Sequence, residues 1–79
     1  MRPGDAHDAV LWAFVAITPI LYLTSDEAAN LTKLDVLLLR EMGADDRLLA
    51  QLVALGSEPS LCLRCDFEGQ RVLVVDSTD

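Results

Sequence analysis

Two cysteines three positions apart, in Cys62-Leu63-Arg64-Cys65, are the grouping in this 79-residue chain with the plainest chemical potential. On a loop, a CxxC lets two thiolates share a zinc ion or cycle as a redox pair. Here the flanking residues alternate as a strand, and residues three apart on a strand point to opposite faces. The two sulfurs should therefore diverge. The chain has no second cysteine pair, and its one histidine, His7, lies at the far end. The cysteines thus read as structural, with no metal and no cofactor expected. His7 stands near Asp5 and Asp8, but close sequence neighbours on a helix do not face each other; this cluster reads as a capped, solvated helix start. Asp35 falls beside an apolar stripe, where an unpaired carboxylate is costly to bury. It reads as the edge of that stripe, or as the partner of an arginine in this chain or another. The four glycines are scattered rather than gathered in a phosphate loop. Ser25, Ser57, Ser60 and Ser77 lack a nucleophile motif and a nearby histidine base. No enzyme is expected from this inventory.

The elements that must carry these residues follow from composition and spacing. Hydrophobic residues make up 52% of the chain and aromatics 5%, with a net charge of −7. Mean hydropathy is +0.33 and the pI about 4.3. A domain this small hides only about 60–65% of its unfolded surface, so part of this apolar content should need a covering partner. The expected fold class is α+β: one small domain over residues 1–79, with about three helices and then a C-terminal antiparallel β-hairpin.

Pro3-Gly4 reads as a lead-in and Asp5 as the first cap. Ala9 to Ser25 contains no charge, and its apolar residues point all round a helix, the pattern of a buried or interfacial element. At Pro19 the helix either breaks near Ile17, leaving Ile20–Leu23 extended, or Thr18 caps a second short helix; the break is favoured. Thr24 and Glu27 have capping-box spacing. They open a helix to Met42 with Ala28, Leu31, Leu34, Leu38 and Met42 on its core stripe, Val36, Leu37 and Leu39 off it, and Gly43 closing it. Asp45-Asp46 open a third helix whose face is Leu48, Leu49, Leu52, Val53 and Leu55, with Arg47 and Gln51 opposite and Gly56 at its end. Leu61–Phe67 and Arg71–Val75 form the hairpin around a two-residue turn, Glu68-Gly69, with positive φ at Gly69. Its register sets Asp66 opposite Arg71, Cys65 opposite Val72 and Leu63 opposite Val74. Cys65 then faces inward; Cys62, Arg64, Leu73 and Val75 face outward. Residues 77–79 read as a frayed end.

These elements point to a non-catalytic protein-interaction module (an inhibitor, adaptor or assembly protein) that pairs as a homodimer or with a protein partner of unknown identity. The expected interface is Val10, Leu11, Trp12, Phe14 and Val15 of the first helix, Asp35, and Leu73 and Val75 of the hairpin. In the rival arrangement Ile20–Leu23 folds back over the first helix and covers it within the monomer. Nucleic acid is disfavoured, because an acidic chain repels phosphates. The helix–turn–helix and hairpin follow a winged-helix order, yet the second helix offers DNA only Arg47 and Gln51. A membrane anchor over residues 9–25 would fall short of the usual length of about 20 residues and is interrupted by Pro19. The acid-rich start is the wrong sign for a secretion signal, and a reducing cytoplasm is the expected location.

Overall fold

In the computed structural model, which describes residues 6–75, Pro19 divides the uncharged segment in two. Helix α1 spans His7–Ala16. Proline disfavours helical geometry at Thr18 and offers no N–H, so the chain turns at Ile17. Ile17 adopts a left-handed conformation, φ 55°, and donates its N–H to Ala13 and Phe14. For a β-branched residue this conformation is strained. Strand β1, Ile20–Thr24, follows. The expected break is therefore present; Pro3, Gly4, the Asp5 cap and residues 77–79 lie outside the described residues.

The long second helix is two helices. Thr24 and Glu27 form the expected capping box at the start of α2, Ser25–Ala29. Asn30 then ends that helix, its side-chain amide donating to the Asp26 carbonyl at 2.8 Å. A second capping box, Thr32 with Asp35, starts α3, Lys33–Glu41. Beyond the interruption Asp35 and Leu39 are buried, Leu34 is 52% exposed and Leu38 only half-buried. The expected stripe therefore holds in part: Ala28 is buried and Leu31, Leu38 and Met42 pack against the core, while Leu34 turns outward. Gly43 closes the segment at φ 110°, as a left-handed helix end requires.

Asp45 caps α4, Asp46–Gly56, by accepting the Leu48 N–H at 2.8 Å. Leu48 and Leu52 are buried, but Val53 is exposed. Gln51 does not look away from the fold. Its amide oxygen accepts the Val72 N–H at 3.3 Å and its nitrogen donates to the Gln70 carbonyl at 3.5 Å. Gly56 permits a close approach of α4 to α2: a Cβ there would sit 3.0 Å from the Ala28 Cβ.

Strands β2, Cys62–Asp66, and β3, Arg71–Val75, pair in the expected register. The connection differs. Residues 67–70 all belong to the turn, and the positive φ, 53°, falls on Gln70 rather than Gly69. Side-chain hydrogen bonds hold that conformation: Gln70 accepts the Asp45 N–H at 3.1 Å and donates to the Gly43 and Phe67 carbonyls. On its other side β2 pairs antiparallel with β1, giving the order β1-β2-β3. Leu21 lies opposite Cys65 and Leu23 opposite Leu63. Together with Val72 these residues form the inner sheet face, buried with Val10, Leu39, Leu48 and Leu52 in one core. The fold class is α+β as expected, with four helices and a three-stranded antiparallel sheet among the described residues. Because β1 is used as a sheet strand, it does not fold over the outside of α1.

Candidate interaction surface

On α1, Val10 and Ala13 face the core, and Ala6 just before the helix is buried with them. Leu11, Trp12 and Val15, neighbours at i, i+1 and i+4, face away. Trp12 is 71% exposed and Val15 61%; Leu11 at 39% and Phe14 at 37% are partly covered. The outward residues are as apolar as the inward ones, which is why the helix has no polar side to give to water. Among the expected interface residues, the structure thus gathers Leu11, Trp12 and Val15 into one surface, with Phe14 on its flank. Val10 is fully buried within the monomer and has no surface to offer a partner.

Asp35 is likewise spent internally. It is 0% exposed, and its partner is His7 rather than an arginine. Asp35 Oδ1 lies 2.8 Å from His7 Nδ1, while Oδ2 accepts the Thr32 N–H and hydroxyl, each at 3.0 Å. Burial pushes the Asp35 carboxyl up, but the Thr32 N–H, the His7 ring and the Thr32 hydroxyl together hold it below its ordinary value. An ionised carboxylate only accepts, so His7 Nδ1–H donates. Each oxygen of the carboxylate thus has a partner, and the contact ties the first turn of α1 to α3. His7 stands 28 positions before Asp35, a distance at which no local spacing could signal the pair.

The outer sheet face is the second apolar surface. Its rows are Ile20–Asp66–Arg71, Tyr22–Arg64–Leu73 and Thr24–Cys62–Val75. Tyr22 is 62% exposed and Leu73 36%, while Val75 is half-buried. Tyr22 was not among the expected interface residues, although the alternation Ile20-Leu21-Tyr22-Leu23 would place it there once β1 joins the sheet. Arg64 sits at the centre of this face, 4.0 Å from Asp66.

The cysteines diverge as their strand placement requires. Both are free; Cys65 is buried on the inner face and Cys62 half-buried on the outer one. Burial pushes the Cys65 thiol up to about 12, so it forms almost no thiolate at neutral pH. Titration of the folded protein with iodoacetamide should modify Cys62 and leave Cys65 intact until urea unfolds the chain. Equal native rates would contradict this placement. Among the described residues, no cluster of three or more His, Cys, Asp or Glu side chains is placed to hold a metal ion, and no helix is long and apolar enough to cross a membrane. Comparison with known protein families, curated proteins and solved structures finds no match.

Proposed function

We propose that this chain is a non-catalytic protein-interaction module that works by burying the outward face of α1 against another chain, in the first instance a second copy of itself. The observation that carries this reading is the exposure of Trp12, Val15 and Leu11 side by side on a helix whose inner side is already buried. Exposed apolar surface of this kind stays in water only at a cost of roughly 25 cal/mol per Å2, and a closed two-fold pair is the commonest way for identical chains to remove it. The net charge of −7 disfavours nucleic acid. So does the use of Gln51 to fasten α4 to the hairpin, which leaves Arg47 with little company for reading a groove.

Sedimentation velocity at micromolar concentration tests this. The wild-type chain is expected to sediment as a dimer, and Trp12→Ser with Val15→Ser as a monomer. The thermal transition of that double variant's monomer should still be cooperative, because neither side chain enters the core. A monomeric wild-type chain, or a dimer untouched by the double substitution, would remove α1 as the pairing surface.

A further inference from the structure

Beside the α1 face, at its C-terminal end, lies an open groove of about 610 Å3, within the range of about 300–1000 Å3 typical of binding pockets. Phe14, Val15 and Ile17 line it from the end of α1, Met42 from the end of α3 and Phe67 from the hairpin turn. The Phe67 N–H donates to the Pro19 carbonyl at 2.9 Å, so two of these segments are fixed to each other. The remaining charged lining is of one sign. Glu41 and Glu68 both border the groove, no lysine or arginine does, and neither glutamate has an ion-pair partner among the described residues. Ile17 adds a third observation. It is 87% exposed while held at φ 55°, a position where glycine or asparagine would relieve strain. Its side chain contributes nothing to the core, and strained residues kept in a folded chain concentrate at binding sites.

Resting on the reading of the protein as an interaction module, we infer that this groove holds a segment of a different protein that carries a bulky apolar side chain within a few residues of a lysine or arginine. The apolar side chain displaces water from Phe14, Ile17 and Met42; methionine adapts its shape to such a guest. The cation meets Glu41 and Glu68 at the rim, where an apolar surround strengthens attraction relative to open water. The same rim repels nucleic acid and anionic lipid, which assigns the groove to a basic partner; Phe14 and Val15 border both the groove and the α1 face.

A phage-displayed random-peptide library selected against the immobilised full chain, and in parallel against Glu41→Lys with Glu68→Lys, tests the inference. Both glutamates are exposed, so the double variant should melt as the wild type does. The wild type is expected to enrich peptides that join a bulky apolar residue to a nearby lysine or arginine. A synthetic representative should bind the double variant at least about tenfold more weakly and shift the amide resonances of Ile17, Met42 and Phe67. Failure to enrich any peptide, enrichment without a basic residue, or binding indifferent to the two charge reversals would overturn it. If the groove result fails while sedimentation still shows pairing through α1, only the groove inference falls. If groove-dependent peptides bind a chain that never self-associates, it is the α1 pairing that falls.

Discussion

Asp35→Ala is expected to destabilise the fold by about 2–4 kcal/mol at neutral pH. Two losses combine. The capping box of α3 disappears, worth about 1 kcal/mol, and the buried donors around the missing carboxylate lose their acceptor, at about 1–3 kcal/mol. The Thr32 N–H and hydroxyl are both affected, as is the inward edge of the His7 ring. Domains of this size seldom hold more than about 3–5 kcal/mol in their cores, so the variant should be largely unfolded or close to it. Urea denaturation followed by circular dichroism measures the change. His7→Ala serves as the comparison. That ring is partly exposed and its loss leaves the capping box intact, so a smaller cost is expected.

The same carboxylate imposes a pH dependence of definite sign. The folded chain holds the Asp35 carboxyl below its ordinary value of 3.8, so the unfolded chain takes up the proton first. The stabilisation is complete above 3.8 and drains away as the pH falls through the folded value. Asp66, held low chiefly by the Gly69 N–H, loses its contribution in the same acid range in wild type and variant alike. The difference between wild type and Asp35→Ala should therefore persist down to 3.8 and shrink on acidification below it. A cost under about 0.5 kcal/mol at neutral pH, or a gap that widens below 3.8, would contradict the assignment.

Much of this arrangement is legible in the residues themselves, because local chemistry decides it. Pro19 disfavours helical geometry at Thr18, so the helix before it ends there. Thr24 and Glu27 announce a capping box by spacing alone, and the hairpin register follows from setting Asp66 against Arg71 and Cys65 against Val72. What escapes is decided by competition or by distance. Thr32 and Asp35 have capping spacing too, but with Asp in the place of the usual Glu and in the middle of an apolar run that also suits one continuous helix. The second cap wins, and the apolar run is divided between two short helices. His7–Asp35, Gln51–Val72 and Gln70–Asp45 are long-range polar contacts whose partners share no pattern in the chain. Gln51 in particular reads as a polar, solvent-facing residue of α4, and only the arrival of β3 beside that helix gives it a structural task. On the candidate surface, the apolar outward side of α1 is legible because a helix presents only one stripe to a core. That Val10, rather than a neighbour, lies on the inward stripe depends on where α3 and the sheet meet the helix.

Leu39→Ala should cost about 2–5 kcal/mol, the range for truncating a buried leucine, and it separates the observed helix phase from its alternative. Leu39 is 1% exposed and packs in the core with Val10, Leu21 and Leu48. Leu38 is only half-buried against the core, so Leu38→Ala should cost about 1 kcal/mol, a fraction of full burial. Leu34 is more than half exposed, and Leu34→Ala should stay within about 0.5 kcal/mol. A single helix from Ser25 to Met42 with its inward stripe centred on Leu31 and Leu38 would change this order: Leu38 would be the costliest and Leu39 cheaper than Leu34. All three substitutions shorten the same residue type within two turns of one helix, so differences in helix propensity and unfolded-state behaviour largely cancel and burial decides the ranking. Urea midpoints compared at a common m-value read that ranking directly. If Leu38→Ala proves as damaging as Leu39→Ala, or Leu34→Ala more so, the inward placement of Leu39 is wrong, and with it the burial of Asp35 one turn before it.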